Sequence, residues 1–154
     1  MTQDLTISLT DGKLNIRVAI WIEHEENILV SEFPNNLITL PGGRVKFDEA
    51  SNDAAIRELY EETGENLENM QLFAIIENFF TLETTCHEIL YVYRGTIPYK
   101  ETYVGIDYDD QKLYWLPKTE IHQLKPQALA QLIHKDDVGV VHIVNRDLNK
   151  RYRL

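Results

Sequence analysis

Apolar and polar residues alternate with period two over Leu14, Ile16, Val18, Ile20 and Ile22 against Asn15, Arg17, Ala19 and Trp21. That period predicts a strand with one buried face. His24-Glu25-Glu26-Asn27 is a polar turn, and Ile28-Leu29-Val30 returns as the hairpin partner. Residues 4–9 predict a short edge strand ended by Asp11-Gly12, a turn dipeptide. Pro34-Asn35-Asn36 interrupts the chain before a short strand over Leu37–Leu40. Farther on, Met70–Phe80 is rich in apolar and aromatic residues, and Glu88–Arg94 alternates Ile89, Tyr91 and Tyr93 against Leu90 and Val92, so both read as strands. Pro98–Gln111 is a polar stretch suited to a long loop bordering a site. Leu113–Pro117 reads as a strand closed by proline. Pro126 opens a helix through about His134, and Val138–Val144 is a last short strand before a solvated basic tail with Lys150, Arg151 and Arg153.

One segment has the other period. From Ser51 to Thr63 the pattern is helical, and Gly64 is a C-terminal stop. Pro41, Gly42 and Gly43 precede it and predict a turn, the glycines allowing positive φ and close approach of a ligand to the backbone. At 100° per residue Glu58, Glu61, Glu62 and Glu65 share one stripe, while Ala55, Ile56, Leu59 and Thr63 form a separate face for packing on a sheet. Like charges at this spacing cost an isolated helix only ~0.2–0.5 kcal/mol per pair. A cation–carboxylate contact near a surface is worth ~4 kcal/mol per unit charge pair at 4 Å, so a bound divalent ion outweighs the repulsion. Hard oxygen donors point to Mg²⁺ or Mn²⁺. A run of Glu on a helix is, by itself, more often a solvated face.

The spacing adds to this. Gly43, five residues, Glu49, seven residues, then Arg57-Glu58-Leu59-Tyr60-Glu61-Glu62-Thr63-Gly64 resembles the signature box of the Nudix hydrolases. The resemblance departs at the last position, where the family has an aliphatic residue and this chain has Glu65, with Leu67 the nearest aliphatic residue. It implies an α/β fold, a Nudix-like α/β/α sandwich with a mixed β-sheet, which agrees with strands lying on both sides of one central helix. It also implies hydrolysis of a diphosphate bond in a nucleoside diphosphate linked to another group. Glu58, Glu61 and Glu62 would then be metal ligands, joined by the backbone carbonyl of Gly42 or Gly43. One of the glutamates would serve as general base. Arg57 and Glu49 would form an ion pair that orients them, against the plainer reading of an ordinary surface pair worth ~0–1 kcal/mol. Family members often recruit a further acid from a distant loop, and Asp107, Asp109 and Asp110 are the candidates here.

Substrate markers that some subfamilies carry downstream of the box, a proline or a tyrosine, are missing from Phe79-Phe80-Thr81-Leu82-Glu83-Thr84. Nucleotide sugars, ADP-ribose-like compounds, nucleoside triphosphates and dinucleotides all remain open. Phe79, Phe80, Tyr91, Tyr93, Tyr103 and Trp115 could stack on a base, although aromatic residues on strands are more often core. His87-Glu88 does not make a zinc-protease motif, because Tyr91 stands where the second histidine belongs. A non-catalytic nucleotide-sensing or binding module on the same fold is the competing reading; such a module normally lacks one of the box acids, and here all are present.

Composition narrows the setting. At 154 residues the chain is expected to be a single domain over residues 1–154, burying roughly two-thirds of its unfolded surface. A single cysteine, Cys86, excludes an intrachain disulfide. No basic leader or long apolar run is present, which gives the expectation of a cytoplasmic protein. A net charge of −10 argues against duplex nucleic acid as a partner, whereas a small phosphorylated ligand is compatible if metal ions supply positive charge locally. Oligomeric state is not written in the sequence, although strand-rich, aromatic-rich chains of this size commonly dimerise, which leaves a homodimer open.

Overall fold

The computed structural model describes residues 2–105 and 110–147. Its centre is a mixed sheet in which β1 (Thr6–Leu9), β2 (Gly12–Trp21), β8 (Thr85–Thr96), β7 (Glu68–Thr81) and β10 (Val141–Asp147) lie side by side in that order. A sixth strand, β6 (Gly42–Arg44), pairs with the second half of β2. The β2–β8 and β7–β10 pairs are parallel, and β1–β2, β2–β6 and β7–β8 are antiparallel. A smaller antiparallel sheet joins β3 (Glu23–His24), β4 (Asn27–Glu32), β5 (Ile38–Thr39) and β9 (Lys112–Pro117). The hairpin expected around His24–Asn27 is therefore real, but it turns within the second sheet: β4 pairs with β3, not along β2.

Helix α1 (Ser51–Thr63) packs on one face of the large sheet through Ala54, Ala55 and Leu59, which meet Val18, Ile20 and Ile22. The opposite face is covered by two 3-10 helices, Lys118–Gln123 and Gln127–His134, with Leu124, Leu129 and Leu132 meeting Trp21, Phe73 and Ile76. This sandwiching corrects one expectation. The second half of β2 buries both faces, with Val18, Ile20 and Ile22 in one core and Ala19 and Trp21 in the other. Trp21 and Ala19 looked like the solvent side only because the covering layer comes from far along the chain.

Further differences are local. The turn expected at Gly42-Gly43 is strand, with neither glycine at positive φ. Pro126 caps a 3-10 helix instead of opening an α-helix, and the short helix at Lys118–Gln123 carries no 3.6-residue apolar pattern that would have announced it. The last strand starts at Val141, leaving Val138 and Val140 exposed. Helix α1 ends as expected: Gly64 has φ 75° and donates its N–H to the Tyr60 carbonyl. The departure at Glu65 is absorbed by the same turn. Glu65, largely covered, pairs with Lys100 Nζ at 2.7 Å, and Leu67 takes a buried place in the core. The basic tail lies outside the described residues.

Candidate active site

Strand β6 and helix α1 bring the box residues together. Burial on the helix runs over Ala54, Ala55, Glu58, Leu59, Glu62 and Thr63. Glu58 and Glu62 therefore lie in the middle of the buried face, not on a separate stripe, and Ile56 is exposed. Two carboxyl groups facing a sheet need polar company, and β6 supplies it. The Gly42 N–H donates to Glu62 Oε2 at 2.9 Å, and the Gln111 side-chain amide donates to Glu62 Oε1. Even so, burial pushes the Glu62 carboxyl up to about 8, helped by neighbouring Glu58 and opposed by those two donors. Burial likewise raises Glu58, against the pull of Arg57.

The two glycines are required for contact, not for turning. A Cβ on Gly42 would run into the Val18 carbonyl, and one on Gly43 into the Glu58 carboxyl group. Strand and helix can approach this closely only where no side chain intervenes. Backbone register separates the two. Ile20 N–H bonds the Pro41 carbonyl and Val45 N–H bonds the Ile16 carbonyl. In an antiparallel ladder such bonding recurs at every second residue, so Gly43 belongs to the β2 ladder and the N–H and C=O of Gly42 point away from β2.

Arg57 is the hub of the acidic cluster. Its guanidinium grips both oxygens of Glu49 at 2.8 and 3.0 Å, reaches Glu58 at 2.9 Å and Glu61 at 3.3 Å, and donates to the Arg44 carbonyl at 3.0 Å. Glu49 is held in turn by the Lys46 N–H. The hydrogen bonds from Arg57 keep its carboxyl below the usual carboxylate range, against the opposing effect of burial. With the two side chains only 24% and 18% exposed, this bidentate arrangement is far from a loose surface pair. The guanidinium lies between Glu58 and Glu61, and Glu62 is turned to Gly42. Among the described residues no three acidic, histidine or cysteine side chains are gathered as a metal cage.

Of the loop acids, Asp107 and Asp109 lie outside the described residues. Asp110 is exposed. The chain on either side of residues 106–109 sits at the helix, with Gly105 against the Glu61 and Glu62 carbonyls and Gln111 on Glu62.

From Gly42 and Glu62 a cavity of about 1270 Å³ opens across the sheet. It exceeds the ~300–1,000 Å³ of ordinary small-ligand sites, so it has room for a ligand with two sizeable halves. Of the aromatic residues considered for stacking, Phe80 lines it. Tyr93 and Tyr103 are core, Tyr91 and Trp115 pack on the same core, and Phe79 packs against His87 and Arg146.

A family model for the NUDIX domain matches residues 13–136. The chain belongs to the Nudix family. Among solved structures, a mutator MutT protein from Bacillus halodurans superposes with a TM-score of 0.61 at 20% identity, covering 83% of this chain and 89% of that one. An ADP-ribose pyrophosphatase from Streptococcus suis gives 0.58 at 15% identity, over 84% and 98%. A MutT protein from Methanosarcina mazei gives 0.56 at 22% identity, over 77% and 89%. At such identities the shared feature is the Nudix fold. The α/β architecture and the mixed sheet expected from the signature are thus those of the family. No helix among the described residues is long and apolar enough to cross a membrane.

Proposed function

We propose that this Nudix chain, acting as one domain over residues 1–154, hydrolyses a diphosphate bond in a nucleoside diphosphate linked to another moiety, with Mg²⁺ or Mn²⁺ as cofactor. The observation that carries the reading is the pair of buried carboxyl groups, Glu58 and Glu62, set against the β6 backbone at Gly43 and Gly42, with Glu62 at one end of a large cavity. Carboxylates held away from water without enough positive charge are costly, and the raised Glu62 carboxyl expresses that deficit. A divalent cation removes it. The carboxylates of Glu58, Glu61 and Glu62 and a backbone carbonyl are all oxygen donors, the kind a hard cation takes, and Arg57 would have to yield its place between Glu58 and Glu61 for them to converge on one ion.

In this reading Glu58, Glu61 and Glu62 hold the metal with the carbonyl of Gly42, the one turned away from β2. When bound, the ion supplies positive charge to the diphosphate and lowers the pKa of water. The protein contributes the rest. One of the three glutamates accepts the proton of the attacking water, the oxygen of that water bonds to phosphorus, and the bridging oxygen leaves with the second phosphoryl group. Arg57, fixed by Glu49, stays beside Glu58 and Glu61 and orients them while the charge at the site changes. Asp110, or Asp107 and Asp109 in the adjoining loop, would add a further carboxylate.

The test is phosphate release, with and without added phosphatase, from nucleotide sugars, ADP-ribose, nucleoside triphosphates and dinucleotides at millimolar Mg²⁺ and again with chelator. Chelator-sensitive turnover of one class is the expected result and names the substrate. Mg²⁺-dependent nucleotide binding without any turnover would replace the hydrolase by a sensing module.

A further inference from the structure

Away from the acidic helix, the cavity has a second polar feature. The pairing register aligns residues of four neighbouring strands into rows on the face turned toward the 3-10 helices. Ala19, Val92, Ala74 and Val141 form one row, all apolar. Next come Arg17, Leu90, Ile76 and Ile143. The third row is Asn15, Glu88, Asn78 and Asn145, polar at all four positions.

Three members of that row are more than nine-tenths buried: Asn15 at 7%, Glu88 at 7% and Asn78 at 4% exposure. They line the same cavity as Gly42 and Glu62. Asn145 donates to Asn78 Oδ1 at 2.8 Å, Asn78 donates to Glu88 Oε1 at 3.3 Å, and Arg17 Nε stands 3.7 Å from Glu88 Oε2. The chain of donors runs one way and ends on a carboxylate. A carboxylate accepts about four hydrogen bonds, and one hydrogen bond and one ion pair leave lone pairs free on Glu88. Asn15 Oδ1 has no partner, although it is buried. Buried polar atoms are nearly always paired, so a row with two unsatisfied acceptors, facing a cavity, is shaped for something that donates.

We propose that Asn15, Asn78 and Glu88 form a specificity subsite that reads a ligand group carrying adjacent hydrogen-bond donors, the part of the substrate lying away from the acidic helix. Either a base edge with a ring N–H beside an amine or the vicinal hydroxyls of a sugar has this chemistry, and Phe80, in the adjoining row, gives either a flat apolar flank. The inference rests on this cavity being the substrate site of the reading above, but not on turnover.

The experiment is calorimetric binding of guanosine, inosine and 2′-deoxyguanosine 5′-monophosphates and ribose 5-phosphate, all with chelator present, to wild type, Glu88→Gln and Asn15→Ala. Guanosine binding more tightly than inosine marks the base edge, and ribo binding more tightly than 2′-deoxy marks the diol. The preferred ligand should lose roughly 10- to 100-fold affinity in Glu88→Gln. Asn15→Ala removes an atom that has no protein partner, so it should weaken binding while the thermal midpoint stays unchanged. That combination separates a ligand contact from a structural one even if Glu88→Gln folds poorly. Binding of none of the four compounds, or binding indifferent to both substitutions, overturns the proposal. Row-dependent binding without metal-dependent hydrolysis of any diphosphate would instead overturn the hydrolase and leave the subsite standing.

Discussion

The acidic helix and the polar row meet one cavity, the helix through Glu62 and the row through Asn15, Glu88 and Asn78, yet they are assembled in opposite ways. Glu49, Arg57, Glu58, Glu61 and Glu62 come from one continuous segment, held by bonds among themselves, by β6 and the Lys46 N–H just beyond it, and by the Gln111 side chain. Asn15, Glu88, Asn78 and Asn145 come from four strands and meet only because the sheet pairs in one register. Under the two proposals above the labour divides along the same line: the compact local unit would carry the chemistry and the dispersed one the choice of ligand. Losses in rate should follow the first, and changes in preference the second.

The sharpest way to break that contrast is at the helix. Glu62→Gln or Glu61→Gln should lower kcat by roughly 10²–10⁴-fold, the range for removing a positioned acid–base group, with the circular dichroism melt retained. Wild-type rates in either variant at saturating Mg²⁺ would remove the helix from the chemistry. Arg57→Ala should cost roughly 10–100-fold in kcat/KM, as loss of a group that orients ligands does, with a weaker apparent Mg²⁺ affinity. Arg57→Lys should not rescue it, since a single ammonium cannot reproduce the bidentate grip on Glu49. An Arg57→Lys enzyme with full activity would reduce Arg57 to a generic charge.

Stability should separate the two glycines. Gly42→Ala drives a Cβ into the Val18 backbone, which cannot yield, and should destabilise by about 1–3 kcal/mol in urea unfolding. Gly43→Ala meets the movable end of Glu58. It should cost less stability but more activity, and the reverse order would contradict the close-approach account of β6.

The smallest effect belongs to the row and to pH. Burial raises the Glu88 carboxyl above its ordinary value of 4.5, against the pull of Arg17 and Asn78. Its folded form therefore holds a proton more tightly than the unfolded chain does. The resulting contribution to stability is complete below about 4.5 and is lost as pH rises through the elevated folded value. Unfolding of Glu88→Gln followed across that range should lack this component. An identical pH dependence in the two proteins would show that Glu88 stays solvated.

What was legible in the residues follows the same divide. The extent of α1 and its stop at Gly64 depend on contacts within a few turns, and local spacing encodes them; the meeting of Arg57 with Glu49 was expected from the resemblance to the Nudix box. The glycines were recognised but given the wrong reason, because the obstacle a Cβ would meet lies on β2 or α1 and not in their own torsions. Glu58 and Glu62 looked solvent-facing for a related cause: carboxylates are counted as polar wherever they stand, and only the sheet behind them turns that stripe inward. The row left a fainter trace. Asn78 interrupts the apolar phase of Ala74, Ile76 and Phe80, whereas Asn15 stands with Lys13 and Arg17 in a phase that reads as solvent-facing, and the two acquire a shared meaning only once Glu88 is known to pair with both. Pairing partners are not written along the chain.

Strand β10 has one more consequence. The family match ends at residue 136, and β10 follows at Val141, docking in parallel on β7 as an outer strand of the large sheet. It brings Asn145, the first donor in the relay toward Glu88. The relay is thus closed by an outer strand that lies beyond the matched segment and far from the acidic helix in sequence. A change confined to this strand would reach the far end of the cavity through Asn145 and Asn78 and leave the bonds of the acidic helix as they are.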